Sequence, residues 1–160
     1  MQIKYIPIHV IFIYIFSTFL SVYAEVEKGS LGIALNYPGV GIKYVLFNKM
    51  YIELKSQFAE DVNVSGIRGI LYLVTNKKLL YFLGIESDYI SFKGEKSKGT
   101  GFAIEPLIGG EYFFNKKFSV QLDCGPALIA LTDKGTSESV CGFEYVINFG
   151  INYYFTRLGK

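Results

Sequence analysis

The sequence predicts an all-β fold: an eight-stranded antiparallel up-and-down transmembrane β-barrel preceded by a cleaved signal peptide. Three observations predict it, namely a leading apolar run, long stretches in which apolar residues alternate with polar or small ones, and short polar turns between them. The composition agrees, with 13 Tyr, 14 Phe and 17 Gly, because aromatic residues favour strands and glycine is unfavourable inside helices.

Residues 1–24 are predicted to be a secretory signal peptide. One cation, Lys4, precedes an apolar run over residues 5–20, and Val22 and Ala24 stand at the −3 and −1 positions of a cleavage site. An uncleaved transmembrane anchor is the alternative, because the apolar run is nearly long enough to span a bilayer. Residues 25–160 are then predicted to form a single outer-membrane β-barrel domain.

Polar turns divide this domain into strands. Turns that contain Asn and Lys, at 48–49, 76–78 and 115–117, alternate with longer breaks at 36–39, 59–63, 91–101 and 132–139. Asn tolerates the left-handed backbone of tight turns, so the three turns predict hairpins. The resulting eight strands are 30–36, 40–47, 50–58, 64–75, 79–90, 102–114, 118–131 and 140–156. Short turns at one end and longer loops at the other are typical of an outer-membrane barrel.

The last strand shows the alternation most clearly. From Phe143 to Phe155 every second residue is large and apolar, and most residues between them are small or polar. Side chains of a strand point to its two faces in turn. The stretch is longer than an ordinary strand of ~5–6 residues and long enough for a tilted membrane-spanning strand of ~9–11.

Residue size predicts which face points outward. An eight-stranded barrel has an interior just wide enough for side chains to fill, and the large apolar residues are too many to fit inside it. We therefore expect them to face lipid, with small and charged residues inside. The charged residues predicted to form this lumen network are Lys43, Glu53, Lys55, Arg68, Glu86, Asp88, Glu105, Glu111, Asp123 and Glu144.

The lumen network has two possible functions. A salt-bridged plug would hold the barrel shut, and a narrow polar path would pass small solutes or ions. The alternation also permits a different kind of protein, a soluble secreted barrel that binds an apolar ligand, because a barrel with an apolar interior gives the same pattern.

Two features of the later strands carry separate expectations. Pro106 and Pro126 predict bulges or bends, because proline removes a donor from the strand ladder. Cys124 and Cys141 both fall on the outward parity, in an envelope compartment that permits a disulfide. A two-residue turn at 134–135 would place Cys124 opposite Tyr145, whereas a longer loop would realign the cysteines, so their pairing stays open.

The sequence offers little for catalysis. Its one histidine, His9, lies in the predicted signal peptide, so the mature chain has no imidazole for general-base catalysis or metal binding. A mechanism of carboxylates alone, such as Glu105, Glu111 and Asp123, stays open, but we predict no enzyme, no metal site and no cofactor. Without Lys4, 15 Lys and Arg stand against 14 Asp and Glu, a net charge of +1, which predicts no nucleic-acid partner.

The hairpin from Gly109 to Gly125 resembles the penultimate hairpin of the small eight-stranded outer-membrane β-barrel proteins. Its family-like stretches are 109–114 and 118–123. The resemblance implies a structural, interaction or porin-like protein of the bacterial outer membrane, with membrane lipid and the outer-membrane assembly machinery as partners and no identifiable protein partner beyond these. Many such barrels end on an aromatic residue, whereas here Phe155 is followed by Thr156–Lys160.

Overall fold

Eight strands form one closed antiparallel barrel in the computed structural model, which describes residues 28–47, 49–75, 78–94 and 97–155. The strands are β1 (Leu31–Tyr37), β2 (Gly39–Phe47), β3 (Met50–Ala59), β4 (Val62–Thr75), β5 (Leu79–Lys93), β6 (Lys98–Phe113), β7 (Phe118–Asp133) and β8 (Ser139–Phe155). Each strand pairs with the next, and β8 closes onto β1. The predicted all-β, eight-stranded antiparallel up-and-down barrel is confirmed. The predicted signal peptide and the residues after Phe155 lie outside the described residues.

The strand bounds lie close to the predicted ones. The largest difference is the start of β6, which begins at Lys98 because β5 and β6 stay paired as far as Lys93 and Lys98. The end of the barrel that carries Lys49, Lys78, residues 115–117 and the paired residues Leu31 and Phe155 is called the turn end. The opposite end is called the loop end. No helix among the described residues is long and apolar enough to cross a membrane.

Large apolar side chains cover the outside of the barrel, and charged side chains lie inside. On β8, Tyr145 and Phe149 are exposed while Asn148 between them is buried. Along the described strands, the only charges on the outward parity are Lys93 and Lys98, both at the loop end. This is the reverse of the arrangement in a soluble barrel with an apolar interior.

The wall of the barrel is uneven in height. β1 and β2 have 7 and 9 residues, whereas β7 and β8 have 16 and 17. The pairing of β8 with β1 stops at Phe149, but its pairing with β7 continues to Ser139. Residues 139–148 of β8, here called the open edge, therefore have a paired strand on one side only among the described residues.

Pro106 and Pro126 lie directly opposite each other in the register of β6 and β7. Of the bulges or bends predicted there, bulges are absent. Pairs on both sides, such as Ile104 with Leu128 and Ile108 with Cys124, keep one register across the prolines. Lys134 donates its N–H to the Lys98 carbonyl, so even-numbered residues form the hydrogen-bonded positions of this ladder. Both prolines therefore occupy one hydrogen-bonded pair of the ladder, where neither has an N–H to donate. The ladder is interrupted at this pair, and neither strand needs an extra residue.

Of the two alternatives left open for the connection between β7 and β8, a two-residue turn or a longer loop, the structure has the longer loop. Asp133 Oδ1 accepts hydrogen bonds from the N–H groups of Gly135 (2.6 Å) and Thr136 (3.2 Å), which shapes a longer loop. Cys124 consequently faces Ile147, and Cys141 faces Ala130. The cysteines are free, since the six-residue offset along β7 corresponds to about 20 Å, far beyond disulfide reach.

Candidate functional site

Arg68 is the centre of the charged interior. It lies opposite Glu86 in the β4–β5 ladder, and its Nε donates a hydrogen bond to Glu86 Oε2 at 2.6 Å. Its Nη2 forms an ion pair with the same carboxylate, and its Nη1 donates to Asp123 Oδ2 at 3.0 Å. Arg68 therefore joins its neighbouring strand to β7 across the barrel, and it is 1% exposed.

Lys55 and Asn148 extend this cluster to β3 and β8. Lys55 Nζ lies 2.6 Å from Glu86 Oε1 and donates to Asn148 Oδ1 at 3.4 Å. The Asn148 amide in turn donates to Asp123 Oδ1 at 3.0 Å and to Glu105 Oε1 at 3.3 Å. The amide thus satisfies carboxylate oxygens that the cations leave unpaired.

Lys43 links the cluster to β2. Its Nζ donates to Gln121 Oε1 at 2.6 Å and to the Tyr51 hydroxyl at 3.3 Å, and it lies 3.9 Å from Glu53 Oε2. Gln121 Nε2 donates to Asp123 Oδ2 at 2.8 Å. Lys43 is therefore connected to the Arg68 cluster through one uncharged side chain.

Glu111 is held by neutral donors. Its carboxylate accepts hydrogen bonds from the hydroxyls of Tyr72 (2.5 Å) and Tyr154 (2.8 Å) and from Asn152 Nδ2 (2.8 Å). The Ser119 hydroxyl also donates to it. No ion pair to Glu111 occurs among the described residues, although Glu111 is fully buried. A buried carboxylate is stable only when its oxygens are hydrogen-bonded, and these four donors meet that requirement.

An aromatic and aliphatic layer lies inside the barrel toward the turn end, around Glu111. Its buried members are Val45, Tyr51, Ile70, Tyr72, Leu80, Phe82, Leu107, Phe113 and Tyr154. The rings of Phe113 and Tyr154 stack at 5.7 Å, and those of Tyr51 and Tyr72 lie 5.6 Å apart. The sequence analysis did not predict this layer, although each member has the same parity as the inward-facing charged residues of its strand.

The structure places the predicted network residues as follows. Buried in the interior are Lys43, Glu53, Lys55, Arg68, Glu86, Glu105, Glu111 and Asp123. Asp88 is partly buried, beside Gly66. Glu144 lies apart from them: it is exposed and makes no hydrogen bond or ion pair within the described parts of the chain. Its inclusion in the network is corrected for a physical reason, since β1 ends at Tyr37 and leaves no wall beside Glu144.

The interior carries an excess of carboxylates. Three cations (Lys43, Lys55 and Arg68) lie among six acidic side chains (Glu53, Glu86, Asp88, Glu105, Glu111 and Asp123). Hydrogen bonds from Asn148, Gln121 and the donors around Glu111 compensate part of this difference. The arrangement joins β2, β3, β4, β5, β6, β7 and β8 through side chains.

The sequence matches no protein-family model and no curated protein. Among solved structures, the N-terminal β-barrel domain of Pseudomonas aeruginosa OprF is similar. The alignment covers 80% of this chain and 98% of that one, with 17% sequence identity and a TM-score of 0.50. This likeness confirms the eight-stranded antiparallel barrel, and the chain has the fold of the OprF N-terminal β-barrel domain.

Proposed function

We propose that this protein is an integral β-barrel of the bacterial outer membrane, with a closed lumen and a structural or interaction function, and that it is not an enzyme. The observation that carries the proposal is the combination of an ion-paired, side-chain-filled interior with an exposed apolar exterior. Lipid is then the main partner of the outer surface, and the outer-membrane assembly machinery acts on the chain as it inserts.

The exterior supports a membrane location. Monomeric soluble proteins rarely expose continuous apolar patches larger than a few hundred Å², yet here exposed large apolar side chains occur on all eight strands. A Lys or Arg facing lipid at the midplane costs about 2–4 kcal/mol, and the two outward-facing strand lysines, Lys93 and Lys98, lie at the loop end, away from that plane.

The interior supports a closed lumen. Lys43, Arg68, Glu86 and Asp123 come from four strands and are at most 2% exposed. Ion pairs and hydrogen bonds hold their charged groups in the middle of the barrel, and the aromatic layer lies between them and the turn end. Side chains that fill the cross-section and bind each other leave no wide aqueous path.

Vesicle binding and gel mobility test the membrane location. The purified protein is folded into phosphatidylcholine vesicles, floated on a density gradient and run on gels with and without boiling. We expect it to float with the vesicles and to change mobility on boiling. Protein that stays in buffer without detergent, or that migrates identically after boiling, would contradict the proposal.

Conductance in planar bilayers tests the closed lumen. We expect no unitary current steps from the folded protein. Reproducible steps would overturn the closed lumen and favour a narrow channel, and the excess of interior carboxylates predicts that such a channel would prefer cations.

A further inference from the structure

The rim of the barrel at the turn end carries exposed charges of one sign. Among the described residues these charges belong to five exposed lysines, here called the lysine collar: Lys28, Lys49, Lys78, Lys116 and Lys117. No exposed Asp or Glu lies in the described part of this end. The collar is therefore a strongly basic surface whose charge is not compensated by neighbouring carboxylates.

The loop end has a mixture of charges instead. In its described loops and strand ends, three lysines stand among four acidic residues: Lys93, Lys98 and Lys134, with Glu60, Asp61, Asp133 and Glu138. Cations and carboxylates alternate there over short distances along the chain. The uncompensated positive charge is therefore specific to the turn end and is not a property of the whole surface.

The lysines of the collar are distributed around the rim. Lys49 lies between β2 and β3, Lys78 between β4 and β5, Lys116 and Lys117 between β6 and β7, and Lys28 before β1. Because the barrel is closed, these positions follow one another around its circumference. A compact protein partner or one small ligand would contact only part of such a ring, whereas surrounding lipid contacts all of it.

Outward-facing aromatic side chains lie next to the collar. Those exposed at the turn end are Phe47, Tyr112, Phe114, Tyr153 and Phe155. In membrane barrels, girdles of aromatic residues border the apolar band at the level of the lipid headgroups. The position of these rings therefore indicates that the collar lies at headgroup height.

Contacts of the lysines hold the collar beside the aromatic side chains. Phe113 donates its N–H to the Lys78 carbonyl at 2.6 Å, and Tyr154 donates its N–H to the Lys117 carbonyl at 2.7 Å. The Lys28 ammonium group lies 5.5 Å from the centre of the Phe47 ring. Since a lysine keeps its apolar stem along apolar surface and its charged head in water, the ammonium groups can reach headgroup phosphates.

We infer that the lysine collar binds the phosphate groups of anionic phospholipids in the leaflet at the turn end. The inference rests on the membrane location proposed above, and it adds which headgroups the barrel prefers and at which end. Anionic lipids attract clusters of lysines close to the membrane surface. This attraction extends over a Debye length of about 10 Å at 0.1 M salt, so the binding is salt-dependent and confined to lipids next to the barrel.

Acetylation of lysines in nanodiscs tests the contact residue by residue. The folded protein is placed in nanodiscs of phosphatidylcholine, with or without phosphatidylglycerol, whose two faces are both open to a water-soluble acetylating reagent, and modification is read by mass spectrometry. With phosphatidylglycerol, we expect Lys49, Lys78 and Lys117 to react several-fold more slowly, and high salt to restore their rates. Lys134 at the loop end is the internal control. Equal slowing at both ends, or no slowing, would overturn the inference.

Two matched triple variants test whether the collar itself carries the preference. The turn-end variant has Lys49→Gln, Lys78→Gln and Lys117→Gln, and the loop-end variant has Lys93→Gln, Lys98→Gln and Lys134→Gln. A ligand that binds only the folded state stabilises it, so phosphatidylglycerol should raise the urea midpoint of the wild type and of the loop-end variant. We expect the turn-end variant to lose most of this rise. The same rise in all three proteins would overturn the inference.

Flotation with phosphatidylcholine vesicles separates this inference from the membrane location. Failure to float on these vesicles removes the membrane location, and the collar's preference with it. Flotation combined with an unchanged response to phosphatidylglycerol removes only the lipid preference of the collar.

Discussion

Arg68 and Glu86 occupy directly opposite positions on β4 and β5, and their side chains meet inside the barrel with an Nε to Oε2 distance of 2.6 Å. Glu86 also receives Lys55 from β3, and Arg68 also reaches Asp123 on β7. One cross-strand pair therefore joins four strands. Because breaking a buried pair leaves an uncompensated charge, the stability of the barrel depends on this contact.

Replacing Arg68 is expected to destabilise the barrel strongly. Arg68→Met leaves Glu86 and Asp123 short of a cation, and removal of one partner from a buried pair costs about 3–5 kcal/mol. The free energy of unfolding in vesicles is measured by urea titration with circular dichroism, because the chain has no Trp. The exposed Lys134→Met is the control, expected within about 0.5 kcal/mol of wild type. Equal urea midpoints for both variants would show that the stability of the barrel does not depend on Arg68.

The hydroxyl of Tyr154 is expected to stabilise the Glu111 carboxylate. Tyr154→Phe removes a 2.8 Å hydrogen bond to this buried group, and hydrogen bonds to charged groups contribute about 1.5–3 kcal/mol. Tyr153→Phe is the control, since Tyr153 lies next in sequence and faces outward. The same urea titration should separate the two variants, and an effect of equal size would show that Glu111 does not depend on this donor.

Gly125 is expected to tolerate no side chain. A Cβ at this position would overlap the carbonyl oxygen of Pro106, a backbone atom that cannot turn aside. Overpacking of this kind costs about 1–3 kcal/mol, so Gly125→Ala should unfold at lower urea. Gly142→Ala is the matched control, because no atom lies within 4 Å of its Cβ. Equal midpoints would mean that β6 and β7 separate easily at the prolines.

The cost of an outward-facing charge is expected to depend on depth in the membrane. Ile108 lies outward near the middle of β6, and Thr100 lies on the same face toward the loop end. In vesicles, Ile108→Arg should cost about 2–4 kcal/mol, whereas Thr100→Arg should cost about 0–1. Similar small effects in both variants would indicate that water, not lipid, surrounds β6.

The alternation of residue types was sufficient to predict the strands and their faces. Phe149 lies outside and Asn148 inside, as the parity of β8 requires, because a period of two leaves only two choices for each strand. The register between β7 and β8 stayed open at the level of the sequence, since it depends on the loop after Asp133. The residue types at Lys134 and Gly135 do not determine the length of that loop.

The composition of the interior was only partly predictable. Assigning only small and charged residues to the interior left out Tyr51 and Phe82, which share the inward parity of the charged residues and lie toward the turn end. Glu144 was predicted to lie in the interior but is exposed. The alternation gives the direction of a side chain, whereas burial also requires a neighbouring strand. Whether Glu144 is covered depends on the length of β1, which cannot be read from the residues of β8.

The unequal hairpins also make the thickness of the surrounding bilayer relevant to the proposed membrane location. A strand of 7 residues, such as β1, is shorter than the ~9–11 residues that cross a bilayer, so in a membrane the hydrocarbon tails beside it would have to compress while those beside β7 and β8 stay extended. Such deformation is unfavourable. Lipids with shorter tails should therefore accommodate the barrel at a lower cost.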